Sequence, residues 1–262
     1  KEEKIEHVFG SINGIEGIIN DDLVELNAVV RTNDDMELLR QTPSTVLGSC
    51  RYKLPPASED EKIYKKIISC FERHGIGAFF YIGGNDSMDT VAKVSAYAAR
   101  VGYDMRVMGV PKTIDNDLVG TDHTPGFGSA AKFVATVTKE LVRDSLVYDL
   151  KSVTIVEIMG RDAGWLTASA GVGAYIGADA PDLIYLPEIT FDMDKFLDDV
   201  KKMSDKKGSV IVCLSEGCKL ADGSYICEAM WSGETDVFGH KFLSGAARVL
   251  SQIILWTVGL TA

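Results

Sequence analysis

The chain has 262 residues, of which 46% are apolar, and its 27 basic and 38 acidic side chains give a formal net charge of −11. That length predicts two domains of ordinary size, each able to bury its own core. The acidic balance argues against nucleic acid as a partner, because nucleic-acid binding depends on cationic contacts to phosphates. A small phosphorylated ligand is still allowed, since it needs only a locally positive site.

Cysteine usage and hydropathy predict a cytoplasmic protein with free thiols and no membrane partner. The sequence contains neither a run of about 18 apolar residues nor a signal peptide. It opens on Lys-Glu-Glu-Lys without Met and stops just after an apolar helix, so we expect a piece of a longer protein. The cysteines form an odd, scattered set without a Cys-x-x-Cys pair or a zinc spacing: Cys50, Cys70, Cys213, Cys218 and Cys227.

Predicted helices and strands alternate from residue 61 onward. Hydrophobic periodicity predicts helices over residues 61–73, 87–100, 128–147, 163–176, 192–204 and 240–258. Apolar runs bounded by turn residues predict strands over residues 78–82, 106–110, 153–159, 183–186 and 210–214. This alternation predicts an α/β fold of two doubly wound, mostly parallel sheets covered on both faces. The segment 217–239, rich in Asp and Gly, is expected to form a hairpin or a lid.

Four segments that carry polar chemistry follow predicted strands directly. Ligands of parallel sheets bind at the carboxyl ends of the strands, so the coincidence predicts a ligand site there. The segments are residues 83–87, 111–117, 160–162 and 215–217.

The first segment has two glycines between a strand and a helix. Gly83 and Gly84 let the backbone approach a ligand closely, and the helix N-terminus that follows favours an anion such as phosphate. The alternative is a tight turn in which Asp86 or Ser87 caps the helix. The local sequence leaves both interpretations open.

The second segment, "PKTIDND" at residues 111–117, combines two carboxylates with a lysine. One carboxylate can accept a proton from a hydroxyl nucleophile, and the other can bind Mg²⁺ or hold the first in place. Lys112 can neutralise charge on a phosphoryl group in transfer. The alternative is a turn rich in Asp and Asn whose charges are only solvated.

The last two segments place a guanidinium and a carboxylate after strands. Arg161 has the donor fork that suits a phosphate or a sugar hydroxyl, and Glu216 can accept hydrogen bonds from a sugar. A structural ion pair between Arg161 and Asp162 is the alternative for the arginine.

The motifs "GGNDSMDT", "PKTIDNDL", "MGRDAGW" and "SEG", in this order, resemble the phosphofructokinase family over about residues 5 to 258. The resemblance implies Mg²⁺-dependent phosphoryl transfer to the 1-hydroxyl of fructose 6-phosphate, which gives fructose 1,6-bisphosphate in glycolysis. It also implies a homodimer or homotetramer with the active site in a cleft between two domains. Residues 1–126 would carry the phosphoryl donor without the first strand of the family, and residues 127–262 the sugar phosphate without the C-terminal part.

The same resemblance assigns a role to each motif residue. Asp115 would be the proton acceptor, with Lys112 and Asp86 as the other catalytic residues. Asn85 stands where the family usually has a carboxylate, and it is a candidate for Mg²⁺ together with Asp117. The donor phosphates would bind at Gly83, Gly84 and Ser87. The sugar-binding set would be Thr113, Ile114, Asp117, Met159, Gly160, Arg161 and Glu216.

Two positions bear on the identity of the donor. Family members that use ATP resemble this chain but have Gly where Asp86 and Lys112 stand. A carboxylate at position 86 would repel the α-phosphate of a nucleotide, and a lysine at position 112 would compensate charge on a shorter donor. The pair therefore resembles the pyrophosphate-dependent subclass, whose reaction is close to energetic balance and reversible.

Three rival interpretations compete with a pyrophosphate-dependent enzyme. ATP could be the donor on the same fold. An inactive paralogue that only binds sugar phosphate is disfavoured, because binding alone does not require the Asp115 carboxylate. A dinucleotide-dependent dehydrogenase is disfavoured as well, since the relaxed glycine pattern at residues 126–131 does not follow a predicted strand.

Overall fold

The computed structural model describes residues 5–147, 149–229 and 245–258. The chain forms two compact units, Lys1–Pro111 and Lys112–Ala262. The predicted division at residues 126/127 placed the loop after residue 111 in the first unit, whereas this loop belongs to the second. The reason is that Ile114 packs with Phe127 against the core of the second unit. Which ligand each unit binds stays a prediction.

Residues 5–111 of the first unit form two small sheets and five helices. β1 and β2 are antiparallel, with Phe9 opposite Glu25, and β3 and β4 are parallel, with Ala78 opposite Arg106. The sequence predicted α4 to β4 to within two residues at each end, and it gave no prediction for β1 to α3. The elements are β1 Phe9–Ser11, α1 Ile15–Asn20, β2 Leu23–Glu25, α2 Leu26–Val29, α3 Asn33–Gln41, α4 Glu61–Arg73, β3 Ala78–Gly83, α5 Asn85–Val101 and β4 Arg106–Pro111.

Helices α4 and α5 provide most of the core of this unit. Apolar residues of α4 recur every three or four positions, which places Tyr64, Ile67 and Phe71 on one buried face. They pack with Val94 and Tyr97 of α5 and with the inward side of β3. Burial of these large side chains fixes the position of β3 and therefore of the glycines at its C-terminal end, Gly83 and Gly84.

An ionic anchor holds α1 against the end of α4. Asp21 lies just after α1 in the left-handed region at φ 60°, and its carboxylate pairs with Arg73 and with His74, whose Nε2 is 2.8 Å away. The Cys70 thiol also donates to this carboxylate, over 3.4 Å. These contacts, led by the hydrogen bond from His74, lower the pKa of Asp21.

The second unit is built on a three-stranded parallel sheet. The strand order is β5-β7-β6, with Ile158 opposite Ser215 and Ile184 opposite Cys213. Every residue of the central strand β7 is buried, as expected for a strand covered on both faces. The elements are α6 Phe127–Ser145, β5 Val153–Ile158, α7 Trp165–Ser169, α8 Val172–Tyr175, β6 Leu183–Tyr185, α9 Met193–Lys207, β7 Val210–Ser215, a 3₁₀ turn Ile226–Ala229 and α10 Ala246–Thr257.

The prediction of a single helix over residues 163–176 was wrong. The segment forms two short helices, α7 and α8, that are separated at Ala170 and Gly171. A Cβ atom on Gly171 would come within 2.9 Å of Ile184 Cδ1, so glycine lets this segment pack against β6 without a shift of the Ile184 side chain.

The predicted hairpin or lid over residues 217–239 is described only in part. Lys219 and Tyr225 form an antiparallel bridge, and residues 230–239 lie outside the described residues. The first five residues of the helix predicted over 240–258 lie outside them as well. Among the described residues, no helix combines the length and the apolar character that a bilayer crossing requires.

Replacement of Phe196 tests the core of the second unit. Its side chain in α9 is 0% exposed and meets the rings of Tyr185 and Phe191, with centroids 5.5 and 5.3 Å apart. Phe196→Ala is expected to lower the free energy of unfolding by about 3–5 kcal/mol, because it removes apolar area and leaves a cavity. The matched control is Phe133→Ala, since Phe133 is 69% exposed in the same unit. Equal losses of stability in chemical denaturation would contradict this description of the core.

Candidate active site

The turn between β3 and α5 leaves the start of a 17-residue helix open. The residue before the helix is Gly84, at φ −86° and ψ −157°, and no side chain in the described part of the chain caps the helix. The alternative in which Asp86 or Ser87 is the cap is therefore wrong. Uncapped backbone amides and the helix dipole make this end favourable for an anion.

Close packing at this turn depends on Gly83 and Tyr81. A Cβ atom on Gly83 would overlap the Ser87 side chain, so Ser87 lies directly against the backbone of β3. The Tyr81 hydroxyl accepts the amide of Ile15 at 3.3 Å, and Cys50 and Ser87 are its neighbours. Burial, together with the neighbouring Cys50, raises the pKa of Tyr81 to about 12. Tyr81, which the sequence did not single out, thus links the end of β3 to the N-terminal segment through Ile15.

Asn85 and Asp86 begin α5. Asn85 is exposed, Asp86 is partly buried, and the backbone carbonyl of Asp86 accepts from Thr90 at 3.0 Å. The structure thus places all five predicted donor-site residues, 83–87, at one strand–helix junction of the first unit.

The loop after β4 lies in the second unit and carries the carboxylates of Asp115 and Asp117. The amide of Asp115 donates to the Thr113 hydroxyl at 3.1 Å, and Ile114 packs into the core. The Oδ1 atom of Asp115 is buried and has no hydrogen-bond partner in the described structure. A buried carboxylate oxygen without a partner is rare, because polar atoms removed from water are normally satisfied. Asp115 thus offers an acceptor that a hydroxyl ligand could fill.

Asn116 shapes the backbone between the two carboxylates. It has φ 60°, a conformation that Asn tolerates better than most residues. Its side chain donates to the carbonyl of Asp122 at 3.1 Å and accepts the amide of Thr124 at 2.9 Å. These two bonds close the loop over residues 116–124, which fixes the positions where Asp115 and Asp117 leave the backbone.

The turns that follow β5 and β7 lie side by side. The amide of Glu216 donates to Ile158 across the paired strands at 2.9 Å, and the amide of Gly160 meets Glu216 Oε1 at 3.4 Å. Gly160 has φ 134°, and a Cβ atom on Gly217 would overlap the carbonyl oxygen of Arg161. Both glycines are therefore required for the close approach of Arg161 to the turn that carries Glu216.

Charges from three segments influence one another in this unit. Burial raises the pKa of Asp115, and Asp117 adds to the rise while Arg161 opposes it. Burial also raises the pKa of Glu216; the hydrogen bond from Gly160 opposes the shift, and Asp115 adds to it. The charges of Asp115, Asp117, Arg161 and Glu216 thus interact in the second unit, although Asp115 follows β4 of the β3-β4 sheet whereas Arg161 and Glu216 follow β5 and β7 of the other sheet.

Besides Asn85, three predicted site residues are open to solvent. Met159 is 55% exposed, and Lys112 and Asp117 are exposed as well. Lys112 has no ion-pair partner among residues 5–147, 149–229 and 245–258. Asp162 pairs with Lys219 at 3.2 Å and makes no ion pair with Arg161, so the structural alternative for Arg161 is not what the structure shows.

The potential metal ligands divide into two kinds. Exposed oxygens at Asn85 and Asp117 fit Mg²⁺, which prefers carboxylate and amide oxygens and keeps several waters. The described residues contain one compact Cys/His/Asp group, Asp21 with Cys70 and His74. Because Arg73 and His74 engage both oxygens of Asp21, this group acts as the ionic anchor of α1. The five cysteines, all within the described residues, form no disulfide, as predicted.

Comparison with known proteins places the chain in a family. The family profile described as "Phosphofructokinase" matches residues 1–262. The chain belongs to the phosphofructokinase family. The α/β fold is confirmed by similarity to the solved pyrophosphate-dependent phosphofructokinase from Nitrosospira multiformis, with 36% identity and a TM-score of 0.79. That match covers 100% of this chain and 60% of the solved chain.

Several relatives of the chain share a name. Pyrophosphate–fructose 6-phosphate 1-phosphotransferase from Rhodospirillum rubrum is 42% identical over 97% of this chain and 61% of the relative. The protein of the same name from Halomonas elongata is 38% identical over 98% of this chain and 61% of the relative. The chain thus spans about three fifths of the curated relatives that it matches.

The buried carboxylate of Asp115 predicts a characteristic pH dependence of stability. Because its pKa is raised in the folded state, ionisation destabilises the fold as the pH rises above the ordinary value of 3.8. Asp115→Asn, of similar size, is therefore expected to melt at a higher temperature than the wild type at neutral pH. The difference should vanish below pH 3.8.

The control is Asp149→Asn, which changes an exposed carboxylate of the same unit. Its melting temperature should follow that of the wild type across the pH range. A lower melting temperature for Asp115→Asn at neutral pH would show that the carboxylate stabilises the fold, against the prediction.

Proposed function

We propose that the intact protein transfers a phosphoryl group from pyrophosphate to the 1-hydroxyl of fructose 6-phosphate. The observation that carries the proposal is the buried, unpartnered Oδ1 of Asp115 beside Arg161 and Glu216. A fold alone does not imply this chemistry, but a free acceptor among sugar- and phosphate-binding side chains supports it. The names of relatives at 38–42% identity point to the same reaction.

In this proposal Asp115 is the general base. It accepts the proton of the sugar 1-hydroxyl as the oxygen attacks the nearer phosphorus of pyrophosphate. A P–O bond forms to the sugar, the bridging P–O bond breaks, and inorganic phosphate leaves with the electron pair. The raised pKa of Asp115 strengthens it as a proton acceptor, since general-base efficiency rises with basicity.

The turns after β5 and β7 would hold the sugar phosphate. Arg161 supplies the donor fork for phosphate or hydroxyl oxygens, and Glu216 accepts from sugar hydroxyls. Met159 and Gly160 complete this side, and Thr113 and Ile114 set the backbone that carries Asp115.

The turn of Gly83, Gly84 and Ser87 would hold the donor phosphates. The uncapped amides of α5 bind phosphate oxygens, and Lys112 compensates charge on the donor. Asp86 in the first turn of α5 disfavours a further phosphate, so it selects pyrophosphate over a nucleoside triphosphate.

Mg²⁺ is the proposed cofactor, and each unit offers one candidate ligand for it. Asp117 would offer a carboxylate oxygen and Asn85 its amide oxygen, with the remaining ligands from phosphates and water. When bound, the ion neutralises charge that builds up on the phosphoryl group. We place the enzyme in the cytoplasm, in glycolysis, as a homodimer or homotetramer without a nucleic-acid or membrane partner.

ATP is the alternative donor. The ATP-dependent 6-phosphofructokinase 2 from Clostridium perfringens is 31% identical over 84% of this chain, below the 38–42% of the four most similar relatives named for pyrophosphate. A carboxylate next to the α-phosphate costs several kcal/mol where water is excluded, about 4 kcal/mol at 4 Å for an effective dielectric constant of 20. Asp86 therefore favours pyrophosphate.

Asp115→Asn tests the base assignment. In the intact protein kcat is expected to fall by about 10²- to 10⁴-fold, since a positioned base contributes about that much. Fructose 6-phosphate should still bind, as measured by calorimetry without donor. Asp149→Asn serves as the control and should keep wild-type turnover. Wild-type kcat in Asp115→Asn would disprove the role of Asp115.

Asp86 and Lys112 test the identity of the donor. Asp86→Gly combined with Lys112→Gly is expected to lower kcat/KM for pyrophosphate and to raise the ratio of ATP to pyrophosphate turnover, because it removes the repulsion and the compensating charge together. Steady-state kinetics with each donor measures the ratio. An unchanged ratio would contradict the specificity argument while leaving the base assignment intact.

A further inference from the structure

The hydroxyl of Ser215 joins the two turns that carry the proposed sugar site. Ser215 ends β7, is 0% exposed, and donates to the carbonyl of Gly160 in the turn after β5. The same oxygen accepts the amide of Gly217 at 3.1 Å. We propose that Ser215 is a positioning residue that sets the affinity for the sugar phosphate, an inference that rests on the function proposed above.

The register of the sheet explains why position 215 can do this. Ser215 pairs with Ile158, so its side chain leaves β7 where both turns begin. The Gly160 backbone passes at φ 134°, and a Cβ atom there would overlap the carbonyl of Ala163. The turn is therefore confined on one side by Ala163 and bonded on the other by the Ser215 hydroxyl. Without the hydroxyl, the buried Gly160 carbonyl loses a donor that water cannot easily replace.

Two proposed sugar-binding side chains depend on this link. Glu216 lies between Ser215 and Gly217, whose amide is held by the hydroxyl, so the carboxylate leaves a fixed backbone. Arg161 directly follows Gly160, and its carbonyl packs against Gly217. The hydroxyl thus fixes the spacing between the guanidinium and the carboxylate without contacting the sugar. Small errors in such spacing reduce binding strongly, because each partner must meet a defined ligand atom.

The two strand-end serines of β7 offer a matched pair of variants. Ser209 lies directly before the strand, is 5% exposed, and donates to the carbonyls of Ser145 and Leu150 at 3.2 Å. Ser215→Ala and Ser209→Ala each remove one buried hydroxyl that makes two hydrogen bonds with the backbone. Both are expected to lower the melting temperature by similar amounts, since each loses comparable hydrogen bonds.

Kinetics of the intact protein separate the two sites. Ser215→Ala is expected to raise KM for fructose 6-phosphate about tenfold, which corresponds to about 1.4 kcal/mol. Its KM for pyrophosphate should stay within about twofold of the wild type, and Ser209→Ala should leave both KM values unchanged. An equal rise in KM for Ser209→Ala would overturn the inference, because the effect would then be general destabilisation.

Two direct measurements complete the test. Hydrogen exchange of peptides covering residues 159–162 should be faster in Ser215→Ala than in Ser209→Ala. Calorimetry with fructose 6-phosphate alone keeps the two proposals apart: a wild type that binds but does not transfer contradicts the reaction, whereas Ser215→Ala that binds as tightly as the wild type overturns the role of Ser215. Where Ser215→Ala does not fold, Ser215→Cys replaces it, since a thiol is a weaker donor of similar size.

Discussion

The pairing of β5 with β7 is the constraint on which the proposed sugar site depends. It sets Ile158 opposite Ser215, so the turns that carry Arg161 and Glu216 start at the same level of the sheet. Glycines at 160 and 217 then allow the two turns to approach more closely than side chains would permit. Because every residue of β7 is buried, a shift of register would disrupt its packing on both faces. The core of the second unit thereby fixes the geometry of its site.

In the second unit, burial stabilises the apolar side chains of the core, but it destabilises the ionised carboxylate of Asp115. The central strand is buried throughout, and Phe191 and Phe196 are buried in an apolar cluster. Asp115, by contrast, keeps a buried oxygen without a partner, and Asp117 adds repulsion. Strain of this kind is common at functional sites, where a group must be ready for a ligand that is not part of the fold. The ionised carboxylate of Asp115 thus lowers the stability of the fold, and it is also the proposed base.

The sequence was sufficient for the elements with strong periodicity and for the motif residues at their ends. Helices such as α4 show buried residues every three or four positions, whereas β1 and β2 are only three residues long and carry no comparable pattern. The positioning residues could not be predicted, because their partners are distant in the chain. Ser215 and Gly160 are 55 residues apart, and Tyr81 and Ile15 are 66 apart. Asn116 alone had a local signal, since Asn tolerates the left-handed region.

The most direct test compares two phosphoryl donors. The intact protein would be given fructose 6-phosphate and Mg²⁺ with either pyrophosphate or ATP at equal concentration, and the formation of fructose 1,6-bisphosphate would be measured. We expect rapid transfer from pyrophosphate and little from ATP, because Asp86 lies in the first turn of the helix that would bind the donor. Transfer from ATP alone would contradict the donor assignment, and transfer from neither donor would contradict the proposed reaction.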